Sequence, residues 1–194
     1  KIIQERENQK TIIKNPNPTD IDITNNEIVV ERITKKNNNQ PECVTLAQVI
    51  EEGVWSLEVE YSGSQGQAAI GIVQESYIIL SNSWPTVGAN RDHIAIFTGQ
   101  AWGQNSVYCK QNCIPGNIQF GESQILRTEY DSEKGSFYLF LNGVQQPVYI
   151  SGIKEKVRFL VFLHTAGSYC TIRSLKKLTA PTIVKLPNEK SLQW

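Results

Sequence analysis

Residues 129–150, EYDSEKGSFYLFLNGVQQPVYI, decide the fold class of this chain. Polar breaks interrupt the apolar residues twice, and the second break is Asn142-Gly143. An Asn-Gly pair between apolar residues predicts a β-hairpin, because both residues tolerate the positive φ angles of a type I′ turn. Leu141 and Val144 should then face each other across two antiparallel strands.

The strand that enters this hairpin, residues 137–141 (FYLFL), is apolar on both faces. Since alternate side chains of a strand point to opposite faces, we expect this strand in the middle of a sheet, covered on both sides. Gly135 should take a left-handed conformation in the turn before it. Pro147 lacks an amide donor, so the returning strand should have an edge or a bulge there.

Strand patterns continue through the rest of the chain. Apolar and polar residues alternate through residues 55–61 (WSLEVEY), which is typical of a half-buried strand. Asn25-Asn26 predicts a further hairpin turn, and no segment has the periodicity of an amphipathic helix. About ten to twelve short strands separated by turns predict an antiparallel β-sandwich, with a barrel as the alternative fold.

The length of 194 residues suits one domain with tails. Residues 1–20 are predicted to be a polar lead-in, residues 21–178 the sandwich, and residues 179–194 an extended C-terminal tail. The first residue is Lys1, so we expect a domain cut from a longer protein. The sequence leaves the oligomeric state open.

The charge and the cysteine content limit which partners, metals and cofactors we expect this chain to bind. The formal net charge is zero, which argues against a nucleic-acid or anionic-membrane partner, because proteins that bind either one carry a surplus or a patch of basic residues. Four cysteines are too few and too scattered for a disulfide scaffold. We interpret them as free thiols of a cytoplasmic protein; Cys109 and Cys113 would pair only if the protein is exported. We expect no metal site and no cofactor, because a structural zinc needs four closely spaced ligands.

Several segments resemble, in order, the motifs of the SPRY (B30.2-like) family. EEGVWSLEVEYSG (51–63) is similar to its Gly-x-Trp-x-x-x-Val strand, and AAIGIVQES (68–76) to its Ile-Gly-Val-Ala strand. FGESQILRTEYDSEKGSFYLFLNG (120–143) resembles its Gly-Asp-x-Ile motif, acidic turn and Phe-x-x-Asn-Gly hairpin. KVRFLVFLHTAGSYCTIRSL (156–175) resembles its closing strands. The match extends over residues 22–178.

The resemblance has two departures. Glu122-Ser123 stands where the family motif has Asp, and no Leu-Asp-Pro element is evident, so a complete PRY half is not expected. The resemblance implies a concanavalin A-like jelly roll of two bent antiparallel sheets. It also implies a non-enzymatic module that binds a protein or peptide through loops at one end. Such modules commonly belong to larger scaffold or ubiquitin-ligase chains.

The loop-rich stretch 81–117 holds the candidate binding residues, Trp84, Arg91, Trp102 and Tyr108. Trp, Tyr and Arg dominate interface hot spots because they combine a large contact area with a polar group. The alternative is that the tryptophans cover the open end of the core. An indole also stacks on sugars, so a lectin-like carbohydrate-binding domain is the alternative function. The loops 62–67 and 164–167 are expected to flank the loop around Trp84.

Glu58 and Glu60 suggest a third function. Two residues apart on one strand, their side chains leave the same face about 7 Å apart. This separation is within the range of paired glycosidase carboxylates. A β-glucanase of this fold would carry a third acidic residue in the run, where this chain has serines. Alternating glutamates are ordinary on a solvent-facing strand edge, which is the preferred interpretation, and fold analogy alone is a weak argument for catalysis. We expect no enzyme.

Overall fold

The computed structural model describes residues 13–26 and 30–194. Over these residues the chain forms sixteen strands and two short 3-10 helices, η1 (Gly88–Asp92) and η2 (Gln100–Trp102). The strands are β1 (Ile13–Lys14), β2 (Ile21–Asn26), β3 (Val30–Lys35), β4 (Glu42–Leu46), β5 (Val54–Ser62), β6 (Ala68–Gln74), β7 (Ile94–Thr98), β8 (Val107–Cys109), β9 (Asn112–Ile114), β10 (Ile125–Asp131), β11 (Ser136–Leu141), β12 (Val144–Gln145), β13 (Val148–Ser151), β14 (Val157–Leu163), β15 (Tyr169–Leu178) and β16 (Lys190–Gln193). In this part of the chain no helix is long and apolar enough to cross a membrane.

The strands form two sheets. The seven-stranded sheet has the order β1-β4-β14-β6-β7-β8-β9. The nine-stranded sheet has the order β16-β13-β11-β10-β5-β15-β3-β2, with β12 paired to β11. Neighbours are antiparallel except β13 and β16. The predicted two-layer sandwich is confirmed, and the alternative barrel is wrong.

The core lies between the sheets and is rich in aromatic rings. Phe137 of the nine-stranded sheet contacts Phe97 and Phe159 of the seven-stranded sheet, with ring centroids 5.1 and 6.2 Å apart. Tyr61 stacks on Phe120 with centroids 5.7 Å apart. All five rings are fully buried, and burial of one such side chain contributes about 1.5–3 kcal/mol. These contacts hold the two layers together.

The hairpin at Asn142-Gly143 has the predicted geometry. Leu141 pairs with Val144, and the turn residues have φ angles of 49° and 82°. Every residue of β11 is buried, and β11 lies between β10 and β13. Pro147 lies in the break between β12 and β13. Local turn chemistry therefore set the register of the central strands.

The hairpin predicted at Asn25-Asn26 exists, but the predicted position of its turn is wrong. Both residues belong to β2 and pair with Glu31 and Val30 of β3. The connection, residues 27–29, lies outside the described residues. The backbone here continues the ladder because two polar residues on an edge strand can pair as well as turn.

A second apolar layer covers the outer face of the seven-stranded sheet. Every residue of β4, β7 and β14 is buried, which is the pattern of strands covered on both sides. In β14, Phe159 and Val161 belong to the central core, whereas Leu160 and Phe162 point to the outer layer. The long connection 75–93 crosses this outer face and positions the candidate site.

Candidate functional site

Three of the four predicted binding residues meet on the outer face of the seven-stranded sheet. Trp84, Trp102 and Tyr108 are half-buried and pack on the outer apolar layer. They come from the connection 75–93, from η2 and from β8. Together with Phe162 of β14 and His164 of the loop that follows it, they form what we call the aromatic surface.

Trp84 lies at the centre of the aromatic surface. Its ring centroid is 5.2 Å from Phe162, 5.0 Å from His164 and 5.7 Å from Trp102. Trp102 meets Tyr108 edge-on at 5.9 Å. Tilted and edge-to-face pairs at such distances contribute about 0.5–1.5 kcal/mol each beyond their buried area. The rings therefore hold one another in a fixed arrangement.

Phe162 lies beneath the two tryptophans of this surface, and the sequence analysis did not single it out as a site residue. Its side chain is fully buried, and both Trp84 and Trp102 rest on it. Apart from Arg158, β14 is apolar, and both of its faces are covered. The sequence did not indicate which loop would cover the outer face.

Asn90 fixes the loop that carries Trp84 and was also missed. Its side-chain amide donates to the Ser83 hydroxyl at 3.0 Å and to the Trp84 carbonyl at 2.8 Å. Its oxygen accepts a hydrogen bond from the Tyr77 hydroxyl at 2.8 Å. Asn90 is buried, so these bonds are shielded from competing water. A buried asparagine in a polar loop gives no separate signal in the sequence.

Trp102 is positioned by close backbone contacts around η2. The Ala101 amide donates to the Gly66 carbonyl at 3.2 Å, and the Gln100 amide donates to Phe120. A Cβ atom at Gly99 would lie 2.5 Å from the Gly66 carbonyl oxygen, so this approach requires glycine. The indole N–H of Trp102 is buried and has no hydrogen-bond partner in residues 13–26 and 30–194.

Four connections between strands meet at the end of the sandwich next to these rings: 36–41, 63–67, 99–106 and 164–168. Thr165 donates to the Ser64 carbonyl at 2.9 Å, and the Ala166 amide donates to Asn39 at 2.8 Å. Both loop tips expected near Trp84 lie here, since the His164 ring packs at a tilt against Trp84 and Gly66 contacts η2.

Glu122, at the departure from the family motif, ties a fifth segment to this end. Its carboxylate accepts a hydrogen bond from the Ser64 hydroxyl at 2.7 Å. The neighbouring Ser123 has a φ of 55° and donates its amide to Tyr61. The Glu-Ser pair therefore supplies both a tight turn and a side-chain contact to loop 62–67.

Arg91 is not part of the ring cluster. It is exposed in η1, next to Asn90. Among the described residues, the cations found over aromatic rings belong to other positions. The structure thus brings three of the predicted residues together and leaves the fourth exposed in η1, near the end of the connection that carries Trp84.

Three exposed aliphatic side chains lie on the connection 75–93, which also carries Trp84. Ile78, Leu80 and Val87 are 78%, 72% and 61% exposed. Exposed apolar side chains clustered on one loop beside half-buried rings are typical of a contact surface. Sequence reasoning did not single out these three residues.

Burial shifts the acid–base behaviour of two members of the aromatic surface. It lowers the pKa of His164, and the nearby Lys35 cation lowers it further. Burial, with a contribution from Cys113, raises the pKa of Tyr108. The surface is therefore uncharged at neutral pH and suits apolar or hydrogen-bonding ligands.

Several known structures share this arrangement of strands. The PSpry domain of TRIM65 superimposes with a TM-score of 0.62 at 10% identity, over 84% of this chain and 88% of that domain. A human SPRY domain gives 0.54 at 13% identity, over 82% and 96%. The SPRY domain of human HERC1 gives 0.52 at 10% identity, over 77% and 90%.

This chain has the SPRY fold. No protein-family model and no curated protein sequence matches it, so the likeness is one of structure. The concanavalin A-like jelly roll that the sequence motifs implied is confirmed. Within this SPRY fold, the aromatic surface lies on the seven-stranded sheet beside the end where the strand connections meet.

Glu58 and Glu60 lie elsewhere on the SPRY fold, on the outer face of the nine-stranded sheet. Arg173 bridges them, with nitrogen–oxygen distances of 3.3 and 3.0 Å. All three side chains are partly exposed. One guanidinium between two carboxylates is an ordinary surface ion-pair network.

The cysteines and acidic residues form no metal centre in the described ranges 13–26 and 30–194. All four cysteines are free thiols. Cys113 is exposed, whereas Cys43, Cys109 and Cys170 are buried. Burial raises the pKa of the Cys109 thiol to about 12, so this thiol stays protonated and unreactive at neutral pH.

Proposed function

We propose that this chain is a non-enzymatic interaction module that binds a protein or peptide through the aromatic surface. One observation carries the proposal. Trp84, Trp102 and Tyr108 come from separate segments, converge on Phe162 and remain half-exposed. Rigid aromatic side chains on a fixed scaffold supply large contact area at low entropic cost.

The chemistry of the surface indicates the kind of ligand. Covering apolar surface contributes about 25 cal/mol for each Å² removed from water, and the exposed side chains of Ile78, Leu80 and Val87 enlarge the area available. Arg91, exposed in η1 of the connection that also carries Trp84, adds a charged donor. A peptide with apolar anchors and an acidic or carbonyl-rich flank fits these features best.

The cellular setting forms part of the same proposal. Three buried thiols and one exposed free thiol favour a reducing compartment, which agrees with a cytoplasmic protein. The sequence resemblance favours a larger scaffold or ubiquitin-ligase-like parent chain. We expect neither nucleic acid nor a membrane surface as partner, because the formal net charge is zero.

Selection from a displayed random-peptide library tests the proposal. Selected peptides should bind the parent chain and lose at least tenfold in affinity with Trp84→Ala or Trp102→Ala. Trp55→Ala is the matched control, because Trp55 is also half-buried but lies on β5 of the other sheet. Retained amide-proton dispersion would establish that each variant is folded.

Two results would contradict the proposal. One is a set of peptides that binds both tryptophan variants as well as the parent. The other is failure to select any peptide together with binding on a glycan array that Trp84→Ala abolishes, which would favour the lectin-like alternative.

A further inference from the structure

The edge of the nine-stranded sheet carries a second recognition feature, remote in sequence from the aromatic surface. Strand β16 pairs with β13 in parallel, with Val148 opposite Lys190 and Ser151 opposite Gln193. It is the sole parallel pair among the strands described. Without β16, the backbone of β13 would be an open edge, and unpaired edge groups are a template for another strand.

Hydrogen bonds at both ends of β16 define its register. The Lys190 amide donates to the Pro147 carbonyl, and the Trp194 amide donates to the Ser151 carbonyl, both at 2.9 Å. The Gln193 side-chain amide donates to the Ser151 hydroxyl at 2.6 Å. Register is therefore specified by side chains as well as by the backbone.

Two apolar side chains anchor the same segment. Leu192 and Trp194 pack against the buried core between the sheets. The Trp194 indole N–H donates to Glu155 at 2.5 Å, and the Lys110 ammonium lies 5.1 Å from the indole ring centroid. Sheets bind extended peptides in this way, by main-chain pairing together with pockets for alternate side chains.

The segment also joins the two sheets at this edge. The thiol of Cys109, in β8 of the seven-stranded sheet, donates to the Gln193 carbonyl at 3.4 Å. Strand β16 further lies beside β9 of that sheet. Residues 190–194 thus lie between the edge of the nine-stranded sheet at β13 and the edge of the seven-stranded sheet at β8 and β9.

The connection 179–189 acts as a tether between β15 and this site. It crosses β5, β10, β11 and β13, which is five strand spacings or about 24 Å sideways. Thr182 donates its amide to Glu129 at 2.8 Å, and Val184 exchanges hydrogen bonds with the Gln145 side chain. Most of the connection is exposed, so the contacts specific to the site reside in residues 190–194.

We propose that the β13 edge is a strand-binding site that takes residues 190–194 of a second copy of this chain whenever its own residues 190–194 cannot reach it. The site already fits this sequence, from its parallel register to the seats of Leu192 and Trp194. Exchange of an identical element creates a symmetric dimer without any new kind of contact.

Shortening the tether tests this proposal. From Leu178 to Lys190 the chain makes twelve Cα steps; deletion of residues 183–188 leaves six, which reach about 21 Å at most. Residues 190–194 can then no longer pair within their own copy. We expect the shortened chain to sediment as a dimer, while the parent stays monomeric at the same concentration.

A peptide that copies residues 185–194 should dissociate this dimer by filling the site. The same peptide with alanine at positions 192 and 194 is the matched control and should leave the dimer intact. A shortened chain that is folded and monomeric would overturn the proposal. So would a dimer that survives Leu192→Ala together with Trp194→Ala, because its interface would lie elsewhere.

A second measurement covers the case in which the shortened chain does not fold. In the full-length chain, Lys190→Pro removes the amide donor to Pro147 and loosens the strand within its own copy. The fluorescent 185–194 peptide should bind this variant at least tenfold more tightly than the parent, where the tethered strand competes. Lys185→Pro, on the exposed tether, is the control, and equal peptide binding by all three proteins would overturn the proposal.

Discussion

Asn90→Asp should detach the Trp84 loop while leaving the sandwich folded. The substitution keeps the shape of the side chain and its acceptor for the Tyr77 hydroxyl, but it replaces the amide that donates to Ser83 and Trp84. Two hydrogen bonds at about 1 kcal/mol each, plus a buried carboxylate facing a carbonyl, give a local loss of about 2–4 kcal/mol. The three side-chain hydrogen bonds of Asn90 all lie within the connection 75–93.

Hydrogen exchange and peptide affinity are the two assays for this variant. Amides of the connection 75–93 should lose about 30- to 1,000-fold in protection, which corresponds to the local loss of about 2–4 kcal/mol. Amides of β11 should be unaffected. Affinity for selected peptides should fall, because the ordering of Trp84 must then be restored on binding.

The pH dependence of the same variant has a defined sign. Burial would raise the folded-state pKa of the new carboxyl group above its unfolded value. The ionised form therefore destabilises the loop at neutral pH, and lowering the pH through the folded-state pKa restores part of the protection. Asn188→Asp, on the exposed connection, is the control. Parent-like protection and affinity in Asn90→Asp would refute the reasoning.

Three further predictions concern the scaffold. Gly143→Ala should lower the free energy of unfolding in urea by about 1–2 kcal/mol, because a Cβ there has open space but φ is 82°. Gly135→Ala should lower it more, because the added Cβ would also lie 2.2 Å from a carbonyl oxygen. Equal losses would contradict this steric argument. Lys35→Met should lower the free energy of unfolding by about 3–5 kcal/mol, because the buried Lys35 is paired with the buried Asp20. Restored stability in the double variant Lys35→Met with Asp20→Leu would identify the unpaired Asp20 carboxylate as the cause. Burial holds the pKa of His164 below its value in the unfolded chain. The free energy of unfolding should therefore fall as the pH is lowered from about 7 toward 5, because the imidazole must take up a proton. His164→Gln should flatten this pH profile, and an unchanged slope would contradict the assignment to His164.

Local chemistry explains which parts of the fold were predictable. Asn142 and Gly143 specify their turn through their own φ preferences, and Gly135 has the predicted left-handed conformation with a φ of 60°. The apolar run of β11 likewise indicated burial on both faces. Such features depend on a few neighbouring residues and can be deduced from a single sequence.

The candidate site was predictable only in part, because it depends on contacts between distant segments. The side-chain types of Trp84, Trp102 and Tyr108 marked them as candidates. Phe162 lies 78 residues after Trp84 in the chain, and only the crossing of the connection 75–93 brings the two together. Asn90 has no signal of its own, since its role depends on where Trp84 and Tyr77 come to lie.

Pairing between strands distant in sequence was equally hidden. Leu192 lies opposite Ile150, and the sequence predicted only an extended segment for this part of the chain. Nothing in residues 179–194 indicates a parallel partner, because parallel pairing needs a long crossover whose path is set by the whole sheet.

The indole N–H signals of the four tryptophans test the central claim most directly. Trp84 and Trp102 lie in the aromatic surface, whereas Trp55 lies on β5 and Trp194 at the β13 edge. On titration with a selected peptide, the signals of Trp84 and Trp102 should shift or broaden, and those of Trp55 and Trp194 should stay in place. Unchanged Trp84 and Trp102 signals at saturating peptide would contradict the claim that this surface binds the partner.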